Sequence, residues 1–471
     1  MAKRPNILLI TTDTQRWDTL KCMGNPLAVS PHLDRLASEG ILFNNAHTSS
    51  PVCSPTRTTL LTGLHTPIHG AIENGVHRRT DLTVFPDLLK EAGYTNIMSG
   101  KTHFGDTPDS FQINYDTSGP GNIYNKHLEE HGYERPQVHP NPIPEDLFYD
   151  AFVTTNTIKG IEEARKTDAP FFAFCSMISP HGPYVPPGKW AELYTDEMLP
   201  PFPRNPDTSG EPLHTRRLLG LDSKEPTSAE EIDLTRKLFY GLSSYCDHQV
   251  GRLLDYLEQN DLRENTLVIF TSDHGIDLYD HGFCDKHQYY DNTWRVPFIM
   301  SQPGTLEQGT TQEFVIWNDI TTTVLGAAGV TDDTMQGFDL YTPLTEGDPS
   351  PRKCAVATLY KSCALATQQW KLEYFLEEDQ TRLFDRKNDP NEYEDLNASE
   401  KHQGVRSAMK EALLAWRSDL QDVAYLHRHA PGGGGHVSKR VAEYVKSIRG
   451  TDAEERLNKK ALAIDHTFGD L

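Results

Sequence analysis

Residues 6–13, NILLITTD, form a short apolar run that ends abruptly in an aspartate. Three later runs have the same form: TNIMSGKTH (95–103), PFFAFCSMISPH (170–181) and TLVIFTSDH (266–274). A continuous apolar run of this length is typical of a strand that is buried on both faces, as in a parallel sheet. We therefore predict a central, mostly parallel sheet.

Helical patterns separate these predicted strands. Residues 31–40 and 85–93 each run into a glycine, which commonly ends a helix. Ser228 and Glu231 form a capping box that opens a long amphipathic stretch reaching residue 260. Strands that alternate with helices predict an α/β fold, with a doubly wound sheet flanked by helices.

The pattern changes after about residue 345, where three segments alternate as antiparallel strands do and a helical stretch follows. A glycine run and a charged helical segment come last. The predicted units are a catalytic domain over 1–345, a smaller C-terminal α+β domain over 346–430, and a Gly-rich linker with a helical tail over 431–471.

Composition excludes several classes of protein. The 471 residues carry 67 acidic and 45 basic side chains, a formal net charge of −22, so we expect no nucleic-acid partner. No apolar run approaches the roughly 18 residues needed to span a bilayer, so we expect no membrane insertion. The N-terminal run lacks a cleavage site and the seven cysteines are scattered. We expect a cytoplasmic protein, whereas a periplasmic or secreted location would require a signal peptide that was trimmed.

Polar side chains follow the predicted strands at the points where the strands end. Ligands of such sheets bind beyond the carboxyl ends of the strands. The segments 104–150 and 182–226 are rich in Pro, Gly, Asn and Asp, and we predict that they form walls or lids of this crevice. The strand-end residues that one crevice would gather are Asp13, Lys101, His103, His181, Asp273 and His274.

A single cysteine stands out in PVCSPTRTTLLTG at residues 51–63. Ser54 is a candidate N-cap, Pro55 suits the first helical position and Gly63 ends the helix. Cys53 would then lie just before a helix N-terminus, where backbone N–H groups favour an anion and lower the pKa of a thiol.

Other interpretations of these motifs are weaker. Cys53 could be a buried structural thiol with Arg57 in a surface ion pair. A tyrosine-phosphatase loop places its arginine further from the cysteine than the three residues that intervene here. The GKT triplet that ends at Thr102 would indicate a P-loop only with a glycine where this chain has Thr95, so we reject that motif.

CSPTR followed by TTLLTG (53–63) resembles the Cys-x-Pro-x-Arg signature of the type I sulfatases, in the alkaline phosphatase superfamily. The resemblance covers most of residues 5–400. It implies that a formylglycine-generating enzyme oxidises Cys53 to formylglycine, whose hydrate has one hydroxyl to attack sulfur and another to expel sulfate. The segments that resemble the family, in the same order, are PNILLITTD, SPHLDRLASEGILFNNAH, GKTHFG, SPHGPY, TLVIFTSDHG, WRVPF and RLFDRKNDPNEYEDL.

The resemblance also implies a metal site. Asp13, Asp273 and His274 match positions at which the family holds Ca²⁺ against the formylglycine at position 53 and the sulfate. Carboxylates are hard ligands that suit Ca²⁺ or Mg²⁺. Thr14 stands where the family has a stronger ligand, and the imidazole of His274 leaves Mn²⁺ open.

Five further residues receive roles. Arg57, on the first turn of the predicted helix, could reach the atom that occupies position 53. The resemblance implies that Lys101 and His103 contact the sulfate and the formylglycine, and that Lys286 binds a sulfate oxygen. His181 matches the histidine that meets the leaving group and is the candidate general acid.

We therefore predict a sulfuric ester hydrolase that acts on a sulfated small molecule or carbohydrate. A phosphonate monoester or phosphodiester hydrolase on the same scaffold is one alternative, and a sulfated-glycan-binding protein with an unmodified Cys53 is another. The tail after the glycine run could pack on a second copy, which leaves a homo-oligomer open.

Two groups of residues stay outside the predicted site. The first consists of residues in variable loops that are either substrate contacts or surface charges, namely Arg78, Arg79, His214, Arg216 and Arg217. The second is interpreted as a solvated loop, because its spacing matches no zinc motif, and consists of His281, Cys284, Asp285 and His287.

Overall fold

The four apolar runs form strands of one eight-stranded sheet. The computed structural model describes residues 4–118, 122–203, 206–223, 225–429 and 439–471, and the side chains of 439–442 are excluded from that description. The strands are β1 Asn6–Asp13, β2 Ile41–His47, β3 Thr95–Gly100, β4 Ile113–Asp116, β5 Phe171–Pro180, β6 Thr266–Ser272, β7 Asp277–Leu278, β8 Cys284–Asp285, β9 Phe298–Ser301, β10 Gly309–Ile316, β11 Ala355–Leu359, β12 Ser362–Ala366, β13 Trp370–Phe375 and β14 Gln380–Asp385.

Helices occupy most of the connections between the strands. The predicted capping box is present, since the Ser228 side chain accepts the Glu231 N–H and Glu231 binds back. The helices are α1 Pro31–Ser38, α2 Cys53–Thr62, α3 Thr66–His69, α4 Phe85–Glu91, α5 Ile123–Glu130, α6 Tyr149–Ala164, α7 Leu213–Leu219, α8 Ala229–Gln259, α9 Asp291–Trp294, α10 Trp317–Ala327, α11 Tyr341–Thr345, α12 Gln403–Asp419, α13 Val423–His429, α14 Lys439–Ser447 and α15 Asp452–Phe468.

The large sheet has the strand order β10-β2-β9-β6-β1-β5-β3-β4. Its neighbours pair in parallel, except that β9 runs antiparallel to both β2 and β6. Along β1, Ile7 and Leu9 face one apolar core, whereas Leu8 and Ile10 face the other. Helices α1, α6 and α8 cover the second of these faces, and α4 and α10 cover the first. The predicted doubly wound, mostly parallel sheet is confirmed.

A smaller antiparallel sheet, β11-β12-β13-β14, lies near the edge strand β10. Its core also takes in Phe314 and Ile316 of β10, together with apolar residues of α12 and α15. The predicted C-terminal α+β unit is therefore present and packed on the large sheet. The unit boundaries at residues 345 and 430 stay predictions, and the predicted glycine-rich linker at 431–436 lies outside the described residues. Within the described ranges, none of the helices has the length and apolarity to cross a membrane.

Candidate active site

The carboxyl ends of three adjacent strands bring the site together. In the pairing of β1 with its neighbours, Asp13 lies opposite Pro180 of β5, and Thr12 lies opposite Ser272 of β6. The residues that follow those two strands, His181 and Asp273, are thereby placed beside Asp13. On the far side of β5, the strand β3 delivers Lys101 to the same edge.

Gly100 makes that last placement feasible. Its φ of +102° lies in the left-handed region, and a Cβ atom there would stand 2.0 Å from the Ser176 carbonyl oxygen. A side chain at this position would therefore collide with the neighbouring strand. Because glycine avoids the collision, the backbone of β3 can turn beside β5, where the Lys101 N–H donates to the same Ser176 oxygen at 3.0 Å.

Helix α2 carries Cys53 as its first residue, because the helix begins two residues earlier than the sequence suggested. Val52 has an extended backbone and acts as the N-cap, so the prediction of Ser54 as N-cap is wrong. The physical reason is that another loop supplies the cap: the Asn74 side-chain oxygen accepts the Ser54 N–H at 3.0 Å. Gly63 ends the helix with a φ of +68°, as predicted.

The Arg57 guanidinium is completely buried and holds the two carboxylates of the site. Its Nε donates to Asp273 Oδ2 at 2.9 Å and its Nη2 to Asp13 Oδ2 at 3.2 Å. Its Nη1 donates to Ser176 Oγ at 2.7 Å and to the Lys101 carbonyl at 3.1 Å. These hydrogen bonds go to two carboxylates, one hydroxyl and one backbone carbonyl rather than to sulfur. Arg57 therefore positions Asp13 and Asp273.

Cationic and imidazole nitrogens converge on the Cys53 sulfur. Lys286 Nζ lies 2.9 Å and His274 Nε2 lies 3.2 Å from Sγ. Burial would raise the pKa of the thiol, but Lys101, Lys286 and His274 outweigh burial and hold that pKa well below its ordinary value. An atom at this position is therefore stabilised as an anion.

Four side chains offer one ligand atom each within 4.8 Å of one another: Asp13, Cys53, Asp273 and His274. The Nδ1 of His274 lies 2.7 Å from the Gly275 carbonyl oxygen. A proton on Nδ1 satisfies that carbonyl and leaves the lone pair of Nε2 directed at the cluster. Two buried carboxylates and one imidazole nitrogen are a donor set that fits a divalent cation.

Thr14 lies next to this cluster. Its backbone has a φ of +65°, and its N–H donates to Asp273 Oδ1 at 3.0 Å. Its buried hydroxyl has no hydrogen-bond partner in the described part of the chain. The backbone of Thr14 thus orients a carboxylate, while its hydroxyl keeps an unused lone pair.

Two histidines complete the crevice. The Nδ1 of His181 lies 2.7 Å from the Gly182 carbonyl oxygen. Burial lowers the pKa of His181, but the Asp13 carboxylate and the Cys53 sulfur raise it above the ordinary value for histidine. His103 has a φ of +55°, and its interaction with the sulfur helps to lower the pKa of Cys53. The structure thus brings the nine predicted side chains around Cys53 into one crevice.

The sequence analysis missed a residue that supports His181. Asp150, in the first turn of α6, is completely buried and accepts the backbone N–H groups of Ile178 at 2.9 Å and Ser179 at 3.3 Å. It also accepts the Ser179 hydroxyl and so fixes the loop that carries His181. An acidic residue in the first turn of a helix is common, and no local pattern indicates that this one faces inward.

The residues set outside the site behave differently from one another. Arg79 pairs with Asp81 and Asp422, and Arg216 pairs with Asp222, so two of these loop arginines are held in ion pairs. The interpretation as a solvated loop is wrong for His281, whereas Cys284, Asp285 and His287 are half-buried. His281 is buried, its Nδ1 lies 2.5 Å from Asp277 Oδ2, and its ring stacks on Tyr290 with centroids 3.5 Å apart.

Comparison with known proteins identifies the family. The profile of the family described as Sulfatase matches residues 5–330, and that described as N-sulphoglucosamine sulphohydrolase, C-terminal, matches residues 279–419. The N-acetylglucosamine-6-O-sulfatase of Bacteroides thetaiotaomicron is 26% identical over 470 residues, which cover 84% of this chain and 83% of that protein.

Solved structures share the fold. A protein solved in complex with its substrate D-glucosamine-2-N,6-O-disulfate superposes with a TM-score of 0.74 at 22% identity, over 88% of this chain and 98% of that chain. The phosphonate monoester hydrolase from Silicibacter pomeroyi gives a TM-score of 0.79 at 21% identity, over 89% and 96%. At these identities the likeness shows the fold alone. Because the Sulfatase profile spans more than half of the chain, the protein belongs to the sulfatase family of the alkaline phosphatase superfamily and is a sulfuric ester hydrolase.

Proposed function

We propose that the protein hydrolyses a sulfate ester of a carbohydrate, with a formylglycine made from Cys53 as the nucleophile and a divalent cation, Ca²⁺, beside it. The observation that carries this proposal is the convergence of Lys286 and His274 on the buried Cys53 sulfur. A structural thiol packs among apolar groups, whereas this one faces an ammonium and an imidazole. The hydrate of the aldehyde offers two hydroxyls, one to attack sulfur and one to expel sulfate.

The cation would be held by Asp13, Asp273 and His274, together with the atom at position 53. Thr14 is a candidate fifth ligand because its hydroxyl has no other partner among the described residues. When bound, a divalent cation withdraws charge from the sulfate oxygens and favours ionisation of the nucleophile. The oxygen donors suit Ca²⁺ or Mg²⁺, and the nitrogen donor also suits Mn²⁺.

The other side chains bind the sulfate, transfer a proton or hold the carboxylates in place. Lys101 and Lys286 bind the sulfate oxygens and offset the negative charge that the attacking oxygen would otherwise meet. His181, whose raised pKa favours the protonated form, donates its proton to the leaving oxygen. His103 contacts the atom at position 53, and Arg57 keeps the two carboxylates in place.

Support for a carbohydrate substrate comes from the relatives. One is named for action on N-acetylglucosamine 6-O-sulfate, and one structural neighbour was solved with a sulfated glucosamine. A phosphonate monoester hydrolase is the second candidate, because such an enzyme shares the fold over 89% of this chain. Both substrate types present a tetrahedral anion to the same cations.

Matched esters separate the two candidates. The protein is produced together with a formylglycine-generating enzyme, and kcat/KM is measured for 4-nitrophenyl sulfate and 4-nitrophenyl phenylphosphonate, with Cys53→Ala as the control. We expect the sulfate ester to be preferred by at least about tenfold and the control to be inactive on both. A preference for the phosphonate would contradict the proposal, and so would turnover by the control.

A further inference from the structure

A cavity of about 200 Å³ lies beside His181, which forms part of its lining. Its walls come from the loop around His181 and from the segment 104–150 that we expected to form a wall of the crevice. The lining is mostly apolar, and its aromatic and aliphatic members are Tyr124, Phe148, Tyr149, Ile178, Val185 and Leu242. A volume of this size accommodates a single six-membered ring with its substituents.

The Tyr124 hydroxyl gives this cavity a polar group with no partner. Tyr124 is only 2% exposed, and its hydroxyl has no hydrogen-bond partner in the described part of the chain. The neighbouring Tyr149 differs, because its hydroxyl is bonded to Thr117. An unpaired buried hydroxyl is destabilising, so a ligand atom that bonds it restores a lost hydrogen bond.

Arg135 adds a cation at the same cavity. Its guanidinium carbon lies 5.2 Å from the ring centroid of Tyr124 and 5.6 Å from that of Tyr149. Across the described ranges, Arg135 has no carboxylate partner, whereas Arg79 and Arg216 do. A guanidinium held against aromatic faces and lacking a counter-ion is suited to an anionic group of a ligand.

His181 connects this cavity to the chemistry. It lines the cavity, and it directly follows Pro180, which lies opposite Asp13 where β5 pairs with β1. In the proposed reaction, His181 protonates the oxygen of the leaving group. The rest of the leaving alcohol therefore extends toward the cavity.

We propose that this cavity is the leaving-group subsite and that it takes a single-ring alcohol with an anionic substituent, a carboxylate or a second sulfate, bound by Arg135 and the Tyr124 hydroxyl. This inference rests on the proposed sulfate-ester hydrolysis. It assigns substrate selection to Arg135 and Tyr124, which lie outside the machinery that cleaves the ester.

Matched aryl sulfates test the role of Arg135. We would compare kcat/KM for phenyl sulfate, 3-carboxyphenyl sulfate and benzene 1,3-disulfate in the wild type, in Arg135→Gln and in Arg165→Gln. Arg165 is the matched control, because it is an exposed arginine that bonds Asn260 away from the cavity. Taking the ratio of variant to wild type for each ester cancels the difference in leaving-group reactivity.

We expect Arg135→Gln to lower kcat/KM at least about tenfold for one or both of the charged esters and less than about threefold for phenyl sulfate, with no such selectivity in Arg165→Gln. The charged ester that loses more identifies the substituent as a carboxylate or a sulfate. Equal losses on all three esters would overturn the assignment. If no ester is cleaved by the wild type, the proposed function fails instead.

A binding measurement tests the same subsite without turnover. By calorimetry, we expect the wild type to bind 3-hydroxybenzoate more tightly than phenol, and Tyr124→Phe to weaken the binding of 3-hydroxybenzoate while leaving the melting temperature unchanged or higher. Tyr149→Phe removes a hydroxyl that is already bonded within the protein, so we expect it to lower the melting temperature. Equal affinity for the two ligands, or a Tyr124→Phe variant that binds as the wild type does, would overturn the proposal.

Discussion

Two of the clusters of buried charged side chains in this protein are built differently. One lies in the crevice and surrounds Cys53. The other, which we call the tail anchor, ties α15 to the end of the catalytic sheet. The crevice cluster consists of Asp13, Arg57, Lys101, Asp273 and Lys286, and the tail anchor consists of His65, Asp319, Arg352, Trp416 and Glu454.

The tail anchor is closed, in the sense that every carboxylate oxygen in it has a hydrogen-bond partner. Arg352 donates to both oxygens of Asp319, at 2.6 and 2.7 Å, and to Glu454 Oε2 at 2.6 Å. The other oxygen of Glu454 accepts Trp416 Nε1 at 2.6 Å and lies 2.9 Å from His65 Nε2. Both carboxylates therefore have every oxygen occupied, and among the described residues of this cluster only His65 Nδ1 has no hydrogen-bond partner.

The crevice cluster is open. Lys101 and Lys286 both act on Cys53, and the buried hydroxyl of Thr14 and Nδ1 of His103 have no partner in the described part of the chain. The tail anchor is fully buried, whereas Lys101 and Lys286 of the crevice cluster keep part of their surface exposed. Every carboxylate oxygen of the tail anchor is paired, whereas the crevice gathers two ammonium groups and unpaired polar atoms around one sulfur. We infer that a closed buried network holds the fold, whereas an open one is prepared for a ligand.

The largest expected effect comes from the centre of the open cluster. Cys53→Ala removes the precursor of the nucleophile, so we expect turnover to fall by at least about 10⁴-fold. The melting temperature should change little, because the hydrogen bonds of Arg57 go to carboxylates, the Ser176 hydroxyl and a backbone carbonyl, and none goes to the sulfur. Steady-state kinetics and calorimetry check the two halves of this prediction, and near-normal hydrolysis by the variant would refute it.

His181→Ala should have a smaller effect that depends on the substrate. A general acid matters most when the leaving alkoxide is poor, so we expect a loss of about 10²- to 10⁴-fold on an alkyl or sugar sulfate and a much smaller loss on 4-nitrophenyl sulfate. The measurement is kcat/KM on both esters for both proteins. Equal losses on the two would remove His181 from the role of acid.

Breaking the closed cluster should affect stability instead of chemistry. Glu454→Gln leaves Arg352 with one fewer counter-charge in a fully buried place, and we expect the free energy of unfolding to fall by about 3 to 5 kcal/mol. Glu455→Gln is the matched control, since the neighbouring Glu455 pairs with Arg449 at the surface. Denaturant titration gives the free energies, and kcat per folded molecule should stay unchanged. A variant as stable as the wild type would show that the anchor does not hold the tail.

The Glu454 carboxylate should also make the stability of the protein depend on pH, which is the smallest of the expected effects. Burial raises the pKa of Glu454, but Arg352 and His65 outweigh burial and lower it to about 2, from 4.5 for an ordinary glutamate. As the pH falls, the unfolded chain takes up the proton first, so the stabilisation is complete above about pH 5 and is lost toward pH 2. The stability difference between wild type and Glu454→Gln should therefore shrink by about 3 kcal/mol over that window. A difference that is constant with pH would contradict the pairing.

Some features of the fold and of the site could be predicted from the sequence, and others could not. The strands β1, β3, β5 and β6 could be predicted because each is a continuous apolar run that must be covered on both faces. The residues at their carboxyl ends could then be placed at one edge of the sheet. The capping box at Ser228 was readable because both of its members lie within one turn.

Features that depend on partners distant in sequence could not be predicted. Asn74 caps α2 across 20 residues, and Asp150 fixes the His181 loop from the first turn of another helix. The Nε2 atom of the buried His281 lies 3.1 Å from the carbonyl oxygen of Asn391, which is 110 residues away. Local patterns carry no information on such contacts, because only the assembled fold brings the partners together.

Peptide mass spectrometry shows whether the open cluster surrounds a formylglycine precursor. It would be applied to the tryptic fragment that contains Cys53, from protein produced together with a formylglycine-generating enzyme. We expect the mass of an aldehyde, or of its hydrate, at position 53. An unmodified thiol in active protein would contradict this expectation.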